Sequence, residues 1–341
     1  MQPLVYCIRS YFFLVAFLIA ILFNSKGYAQ QNKYQFSASK MGSPFNIVLW
    51  INDSITAKKH AESCFQLIDS LNHIFSNYDS TSELSYINHQ AGIQSTHVSP
   101  LMWELLQITK NAFHESKGTF NIAMGPLTSL WRKARHEKKF PTASSIKKQL
   151  SLCHFEDIQW DSIHHSIYLP LKGMQLDVGG IGKGYIAQKV ITFLETRGVA
   201  CALADAGGDI VMSQVPPPQK GWKVGINLPE KSDDLLPQVL SIQNKSVATS
   251  GDVYQFIEHQ GVKYSHIVDP QSGYGVTALR NVTVIANDGA TADWLATACS
   301  ILPTQEAKRV ATSQHAELLI TYMYQGKVKR NATKGWNSYF K

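Results

Sequence analysis

The sequence contains few cysteines and little charge for its length. Five of its 341 residues are cysteine and 17% are charged. The cysteines are widely spaced and form no Cys-x-x-Cys pair, which argues against a metal–thiolate site. No Gly-Lys-Ser or Gly-Lys-Thr triplet occurs, so the chain has no Walker-type phosphate loop, and its glycine spacing does not match the dinucleotide fingerprint.

The sequence also lacks a lysine/arginine block, an internal repeat and a low-complexity linker. The formal net charge is +7. A mild positive charge without a basic block does not imply nucleic-acid binding, but it suits a small anionic ligand. The hydrophobic fraction of 44% is typical of a globular protein with a large core.

The first 29 residues differ from the rest. Arg9 precedes an apolar run from Tyr11 to Phe23, and Gly27 and Ala29 place small residues where a signal peptidase cleaves. The run is shorter than the roughly 20 residues of a membrane span. We predict a cleaved secretory signal and one domain over residues 30–341, and hence an exported, periplasmic protein. The alternative is an uncleaved anchor, which would attach the protein to the inner membrane.

Export permits disulfides, but every cysteine after the signal lies in an apolar segment. We therefore predict buried free thiols. These cysteines are Cys64, Cys153, Cys201 and Cys299.

Helical and strand patterns are mixed without regular βαβ alternation, which predicts an α+β fold. Residues 34–39 and 45–51 are expected to pair as strands, and residues 57–75 to form an amphipathic helix. Ser99 is predicted to cap a helix over residues 100–115. The basic residues 132–139 are interpreted as a surface segment.

Residues 174–210 contain the most informative sequence pattern, because glycines alternate there with predicted secondary-structure elements. An apolar run before Asp177 predicts a strand, followed by a glycine loop, a helix, a second strand and a glycine turn. Glycines let backbone N–H groups approach a ligand, and a helix N-terminus attracts anions. Lys183 lies at the start of this helix, where it would either meet an anion or point into solvent.

Asp293 and Thr297 are four residues apart in a predicted helix, so their side chains share one face. A hard cation such as Mg²⁺ accepts carboxylate, hydroxyl and carbonyl oxygens. The alternative is an aspartate that caps the helix and a threonine that bonds back to its own helix.

Three further polar residues lie beside turns or glycines. His266 could act as a general base near neutral pH or could be a structural histidine. Asp177 and Asp209 each end a short apolar run next to glycines, where either could anchor a ligand or cap a loop.

Seven motifs occur together in one order along the chain. They resemble the ordered motifs of the ApbE family, the FAD:protein FMN transferases, over about residues 35–325. The motifs are Lys40-Met41-Gly42-Ser43, the segment from Gly118 to Trp131, residues 176–184, Ala206-Gly207-Gly208-Asp209, Ala248-Thr249-Ser250-Gly251, residues 265–270 and residues 292–297.

The resemblance implies a single α+β unit around one FAD site, with FAD as the substrate. It implies that Mg²⁺ binds the Gly180 carbonyl, Asp293 and Thr297. Asn121 stands where the family usually has aspartate, and Gly182 where alanine is common. By resemblance, FAD contacts Met41, Tyr78, Thr119, Phe120, Asn121, Asp177, Lys183, His266 and Ile267.

The implied reaction is phosphoryl transfer. A threonine hydroxyl on an exported or membrane-bound redox protein would attack the FMN-side phosphorus of FAD and release AMP. His266 is the candidate base, and Asp293 is essential through the metal. Two alternatives stay open at this point: an FAD pyrophosphatase that uses water as acceptor, and a flavin carrier without turnover.

Overall fold

The computed structural model describes residues 31–229, 231–251 and 255–340. The predicted signal segment lies outside these residues. In the described part the chain forms an α+β fold, as predicted, with eight α-helices. They are α1 Ser54–Phe75, α2 Glu83–His89, α3 Pro100–Glu115, α4 Gly125–Glu137, α5 Ala143–Leu150, α6 Gly182–Glu195, α7 Gly289–Ile301 and α8 Thr304–Ser313.

Most of the longer strands join one antiparallel sheet. Its eight strands run in the order β1-β2-β6-β7-β12-β15-β16-β17. They are β1 Asn32–Lys40, β2 Ser43–Ile51, β6 Ala202–Ala206, β7 Ile210–Met212, β12 Lys245–Ser250, β15 Asn281–Ala286, β16 Glu317–Tyr324 and β17 Lys327–Ala332.

The remaining strands form small sheets around it. Three short strands pair in the order β3-β5-β4, and three two-stranded sheets are β8–β11, β9–β10 and β13–β14. Their bounds are β3 Thr96–His97, β4 Gln159–Asp161, β5 Ser166–Tyr168, β8 Trp222–Val224, β9 Asn227–Leu228, β10 Lys231–Leu235, β11 Leu240–Ile242, β13 Phe256–His259 and β14 Val262–Ser265.

The large sheet is covered on both faces. Alternate residues of a strand point to opposite faces, and β2 shows the division. Phe45, Ile47 and Leu49 pack into the helical core with α1, α6 and α7. Val48 packs on the other side with the β8–β11 pair and Trp336. Because both faces are buried, every residue of β15 is buried as well.

Several local predictions are confirmed. β1 and β2 pair over their full length. The Ser99 hydroxyl accepts the Met102 N–H at 3.2 Å and caps α3. The four cysteines of the described residues are buried free thiols. No helix in the described ranges is long and apolar enough to cross a membrane.

The predicted strand before Asp177 is wrong. Residues 174–178 carry no strand assignment. The side chain of Asn88 takes the place of a neighbouring strand, because it bonds both the N–H and the carbonyl of Leu176, at 2.7 and 3.0 Å. The next N–H, of Asp177, donates to the Ile122 carbonyl at 2.7 Å. A side chain and a loop thus hold this segment in place.

Candidate active site

The tips of four strands and the start of one helix lie at one edge of the large sheet. Phe45 of β2 pairs with Ala206 of β6, which places the β1–β2 turn beside the β6–β7 turn. The two turns touch, since a Cβ added to Gly207 would lie 2.7 Å from the Ser43 hydroxyl oxygen. Met41 occupies the β1–β2 turn in the left-handed region, with φ 53°. Two glycine-containing turns from the sequence motifs, the β1–β2 turn and the β6–β7 turn, therefore lie side by side at this edge.

Lys183 at the start of α6 is held by an acid of the adjoining turn. Its Nζ lies 2.6 Å from Oδ2 of Asp209, a residue only 4% exposed. Burial raises the pKa of Asp209, and the lysine charge opposes that rise. Burial disfavours the charge of Lys183, but the Asp209 and Asp293 carboxylates outweigh it and raise the lysine pKa. The alternative of a lysine that points freely into solvent is wrong.

Asp293 lies where α6 and α7 meet. The Gly184 N–H donates to Oδ2 of Asp293 at 3.0 Å, and the aspartate is 6% exposed. Burial, and then the nearby Asp209 carboxylate, raise the Asp293 pKa to about 8. Asp293 does not cap α7, because Asp288 does so by accepting the Thr291 N–H at 2.8 Å. The capping alternative is therefore wrong.

Thr297 lies one turn further along α7 and faces the glycine loop. Its hydroxyl oxygen is 3.5 Å from the Gly180 carbonyl oxygen. A Cβ added to Gly180 would lie 2.9 Å from that hydroxyl oxygen, so only glycine leaves this approach open. We call Gly180, Lys183, Asp209, Asp293 and Thr297 the α6–α7 cluster.

The α6–α7 cluster fits a hard divalent cation. It offers a carboxylate, a hydroxyl and a backbone carbonyl, which are the oxygen types that Mg²⁺ binds. The raised Asp293 pKa shows that its negative charge is poorly compensated, and a cation would compensate it. In the described part of the chain, no three or more His, Cys, Asp or Glu side chains group as a metal site. Asp293 supplies the one carboxylate assigned to the cation, since Asp209 is paired with Lys183, and this leaves further coordination positions for phosphate oxygens or water.

A second network surrounds Asp177. Its carboxylate accepts the Gly179 N–H at 2.8 Å and the Thr128 hydroxyl at 2.6 Å. Arg132 Nη2 lies 3.4 Å from the same carboxylate. The Arg132 guanidinium also lies 4.3 Å from the ring centroid of Tyr78, a residue that is 78% exposed. We call Tyr78, Thr128, Arg132 and Asp177 the Asp177 network.

The interpretation of residues 132–139 as a surface segment is wrong for its first half. Residues 132–137 continue α4, and Arg132 and Arg135 are half-buried. Thr128, Arg132 and Arg135 follow at helical spacing, so one face of α4 turns toward the site. That spacing is the signal by which the sequence could have revealed them.

His266 lies near enough to Arg135 of α4 and Lys183 of α6 for both charges to act on its imidazole. Burial lowers its pKa to about 4, with the Arg135 charge as the next cause and Lys183 as a smaller one. Its backbone N–H donates to the Gln255 carbonyl at 2.8 Å. The neighbouring Ile267 is buried, and its N–H donates to the Ser265 hydroxyl at 2.9 Å. The imidazole is therefore neutral at pH 7, which is compatible with both roles considered from the sequence.

Residues 119–121 directly precede Ile122, whose carbonyl accepts the Asp177 N–H. Phe120 is buried, with its ring centroid 6.1 Å from that of Trp294 in α7. The Asn121 amide donates to the Cys153 carbonyl at 3.0 Å and its oxygen accepts the Ala123 N–H at 2.8 Å. The Asn121 side chain thus stabilises the local backbone. Thr119, two residues earlier, is half-buried.

Sequence comparison identifies the family. The model of the ApbE family matches residues 41–320. The chain belongs to the ApbE family. An FAD:protein FMN transferase of Klebsiella pneumoniae is 34% identical over 262 residues, which cover 76% of this chain and 79% of the relative. One of Treponema pallidum is 31% identical and covers 72% of each chain.

Solved ApbE structures share the fold. The flavin transferase ApbE from Vibrio cholerae superposes with a TM-score of 0.81 at 23% identity, covering 91% of this chain and 99% of its own. The ApbE protein of Thermotoga maritima gives 0.81 at 24% identity, covering 91% and 100%. Because the chain belongs to the ApbE family and its relatives are named transferases, it is an enzyme of the transferase class.

Proposed function

We propose that this protein transfers FMN from FAD to a threonine hydroxyl of an exported acceptor protein, releases AMP and uses Mg²⁺. The shared name of its relatives supports flavin transfer. The observation that carries the proposal is the α6–α7 cluster. There a buried carboxylate, a hydroxyl and a glycine carbonyl meet beside the N-terminus of α6. Lys183, three residues after Gly180, is paired with Asp209 at the same place.

Asp293, Thr297 and the Gly180 carbonyl are the residues that would hold Mg²⁺. The bound cation would offset negative charge on the pyrophosphate of FAD. Lys183 adds a second positive charge at the same place, held by Asp209 at 2.6 Å. The N-terminal N–H groups of α6 lie next to this lysine and favour an anion.

The reaction exchanges one phosphorus–oxygen bond for another. The acceptor oxygen forms a bond to the FMN phosphorus, and the bond from that phosphorus to the bridging oxygen breaks. The electron pair of the broken bond stays on the phosphate of AMP, the leaving group. The acceptor hydroxyl loses one proton, so a base must lie close to it.

His266 is the residue we propose for this proton. Its lowered pKa, about 4, keeps the imidazole unprotonated and able to accept a proton at neutral pH. Arg135 and Lys183 help to lower the His266 pKa, so His266 lies near positive charges that could also bind an anion. A low pKa also makes a base weaker, so bound FAD, which adds negative charge, would restore basicity.

The flavin part of FAD is assigned to the Asp177 network and its surroundings. The exposed ring of Tyr78 offers a face for stacking, and Arg132 fixes it from the other side. The binding residues implied by the family resemblance remain part of this proposal. Besides Tyr78 and Asp177, they are Met41, Thr119, Phe120, Asn121, Lys183, His266 and Ile267.

Export is the part of the proposal that rests on residues 1–29. The predicted signal would deliver the enzyme to the periplasm, where it would meet exported or membrane-bound acceptors. A cleaved signal leaves no anchor, whereas an uncleaved one would hold the enzyme at the inner membrane.

The test incubates the enzyme with FAD, Mg²⁺ and a threonine-bearing acceptor peptide and identifies the products. The proposal predicts one AMP for each FMN that becomes covalently bound to the peptide. AMP with an equal amount of free FMN would instead show a pyrophosphatase. Intact FAD bound to the enzyme would show a carrier.

A further inference from the structure

Arg135 lies on the face of α4 that turns toward the candidate active site. Thr128, Arg132 and Arg135 follow one another at helical spacing. The first two both contact the Asp177 carboxylate, at 2.6 and 3.4 Å. Arg135 comes one turn after Arg132 on the same face, so the helix places its side chain beside the Asp177 network.

The same helix is fixed against the loop that contains His266. Trp131, one turn before Arg135, stacks on Tyr264 with 6.0 Å between ring centroids. Its indole N–H donates to the Gly273 carbonyl at 2.9 Å. Because Tyr264 and Gly273 lie before and after His266 in the chain, these two contacts hold the His266 loop next to α4. In agreement, the Arg135 charge is the second cause of the lowered His266 pKa, after burial.

The two arginines of this face differ in their partners. Arg132 lies beside the Asp177 carboxylate and 4.3 Å from the ring centroid of Tyr78. In contrast, Nη1 of Arg135 is buried and has no hydrogen-bond partner among the residues that the structure describes. Burial, and then the charge of Arg132, lower the Arg135 pKa, while Tyr78 acts in the opposite direction. The positive charge of Arg135 is thus poorly compensated.

A buried guanidinium nitrogen without an acceptor is costly, because the cation has lost water and gained no partner. Folded proteins rarely leave such a group unsatisfied, and where they do, a water molecule or an ion commonly completes it. Here the second positive charge, on Arg132, favours an anion over water. A guanidinium presents its N–H donors in a planar fork that matches two oxygens of a phosphate.

We propose that Arg135 binds the phosphate of FAD that belongs to the FMN half, which is the phosphate that is transferred. This inference rests on the function proposed above. FAD carries its negative charge on two phosphates, and its flavin is assigned to the Asp177 network. Since Arg135 adjoins that network, the phosphate next to the flavin is the one within its reach.

Contact with this phosphate would make Arg135 selective for a phosphorylated flavin. Riboflavin has the ring system of FMN but no phosphate, so it would lose nothing when the guanidinium is removed. In the reaction, the guanidinium would offset negative charge that develops on the phosphate oxygens. Arg135 would thus act on the transferred group itself, whereas Arg132 acts on Tyr78 and Asp177.

The test compares the binding of FMN, riboflavin and AMP to the full-length protein at one Mg²⁺ concentration. Fluorescence titration gives the Kd of the two flavins, and calorimetry gives that of AMP. The variants are Arg135→Met, which keeps an apolar chain, and Arg135→Lys, which keeps the charge but not the fork. The control is Lys133→Met, which removes one positive charge from an exposed position of the same helix.

We expect Arg135→Met to raise the FMN Kd at least about tenfold and to leave the riboflavin and AMP Kd within about threefold. Arg135→Lys should raise the FMN Kd less, and Lys133→Met should change each Kd less than about threefold. An unchanged FMN Kd in Arg135→Met, or an equal rise for FMN and riboflavin, would overturn the inference. A rise for AMP as large as that for FMN would also overturn it.

Urea denaturation distinguishes phosphate binding from a structural role. Because Nη1 of Arg135 has no partner among the described residues, Arg135→Met should be at least as stable as the parent protein without ligand. FMN should raise the urea midpoint of the parent more than that of the variant. A less stable variant that FMN stabilises as much as the parent would show a structural arginine and contradict the inference.

Two further outcomes separate the inference from the function. Phosphate-selective FMN binding that depends on Arg135, without flavinylation of an acceptor by the parent enzyme, would support the inference and contradict the transferase function. Flavinylation by the parent enzyme, combined with FMN binding that does not depend on Arg135, would support the function and overturn the inference.

Discussion

The Gly184 N–H at the start of α6 donates to the Asp293 carboxylate of α7 over 3.0 Å. This bond requires a close crossing of the two helices. A Cβ on Gly184 would lie 2.1 Å from the Gly289 carbonyl oxygen and 2.7 Å from the Asp293 Cβ. The absence of a side chain at Gly184 therefore fixes the position of the only carboxylate we assign to the metal.

Gly184→Ala is expected to push α6 away from α7. Overpacking of this kind destabilises by about 1–3 kcal/mol, and the Asp293 bond should weaken as well. Urea denaturation measures the loss. The control is Gly182→Ala, where the added Cβ meets only Val178 Cγ2 at an ordinary 3.7 Å. Equal stability of the two variants would contradict the close crossing.

Tyr78→Ala is expected to weaken FAD binding while folding is kept. Tyr78 is 78% exposed as a residue, so loss of its side chain should change the free energy of unfolding by no more than about 0.5 kcal/mol. Stacking of a base on an aromatic ring contributes about 1–3 kcal/mol, which corresponds to a Kd increase of roughly 5- to 150-fold. The Kd is measured by fluorescence titration with FAD, and the control is Tyr324→Ala, at a residue of β16 that is 55% exposed. An unchanged Kd in Tyr78→Ala would remove Tyr78 from the site.

His266 should show its lowered pKa in an NMR titration of the enzyme without FAD. The pKa falls from 6.5 to about 4, chiefly through burial and then through Arg135. Between these values the unfolded chain binds more protons at this residue than the folded chain does. The contribution of neutral His266 to the free energy of unfolding is therefore complete above pH 6.5, and it is lost as the pH falls from 6.5 toward 4.

Arg135→Met is the matched variant for this titration. Removal of the guanidinium charge should raise the His266 pKa, while burial keeps it below 6.5. The stability of His266→Asn should fall less between pH 6.5 and 4 than that of the parent protein. A His266 resonance that titrates near 6.5 in the parent would contradict the burial and the charges described here.

Cleavage of the signal is expected after Ala29. N-terminal sequencing of protein recovered from the periplasm should begin at Gln30, because Gly27 and Ala29 supply the small residues for cleavage. Replacement of Ala29 by a bulky residue should block cleavage, whereas the same change at Gln31 should not. Periplasmic protein that still carries Phe12 would show an anchor instead.

Local signals in the sequence were sufficient for many elements. A serine before proline predicted the cap of α3, and two strand-like segments on either side of residues 40–44 predicted the β1–β2 pair. The i, i+4 spacing correctly placed Asp293 and Thr297 on one face of α7, since helical geometry alone decides that.

Predictions that depended on distant contacts were less successful. The apolar run before Asp177 has a strand pattern, but Asn88, far away in sequence, satisfies its backbone. Arg132 occurs in a basic segment that is typical of a surface, but its contacts with Asp177 and Tyr78, both distant in sequence, keep it half-buried. Lys183 pairs with Asp209 because α6 lies against the β6–β7 turn. The periodicity of the sequence does not predict this contact.

The central claim is that Asp293 makes FMN transfer possible through the metal it holds. The most direct measurement is the intact mass of a threonine-bearing acceptor after incubation with FAD and either the parent enzyme or Asp293→Ala. We predict a mass gain of one FMN less water with the parent enzyme and Mg²⁺, no gain after EDTA, and no gain with Asp293→Ala at any ordinary Mg²⁺ concentration. An undiminished gain with folded Asp293→Ala, or with the parent enzyme after exhaustive EDTA treatment, would contradict the account.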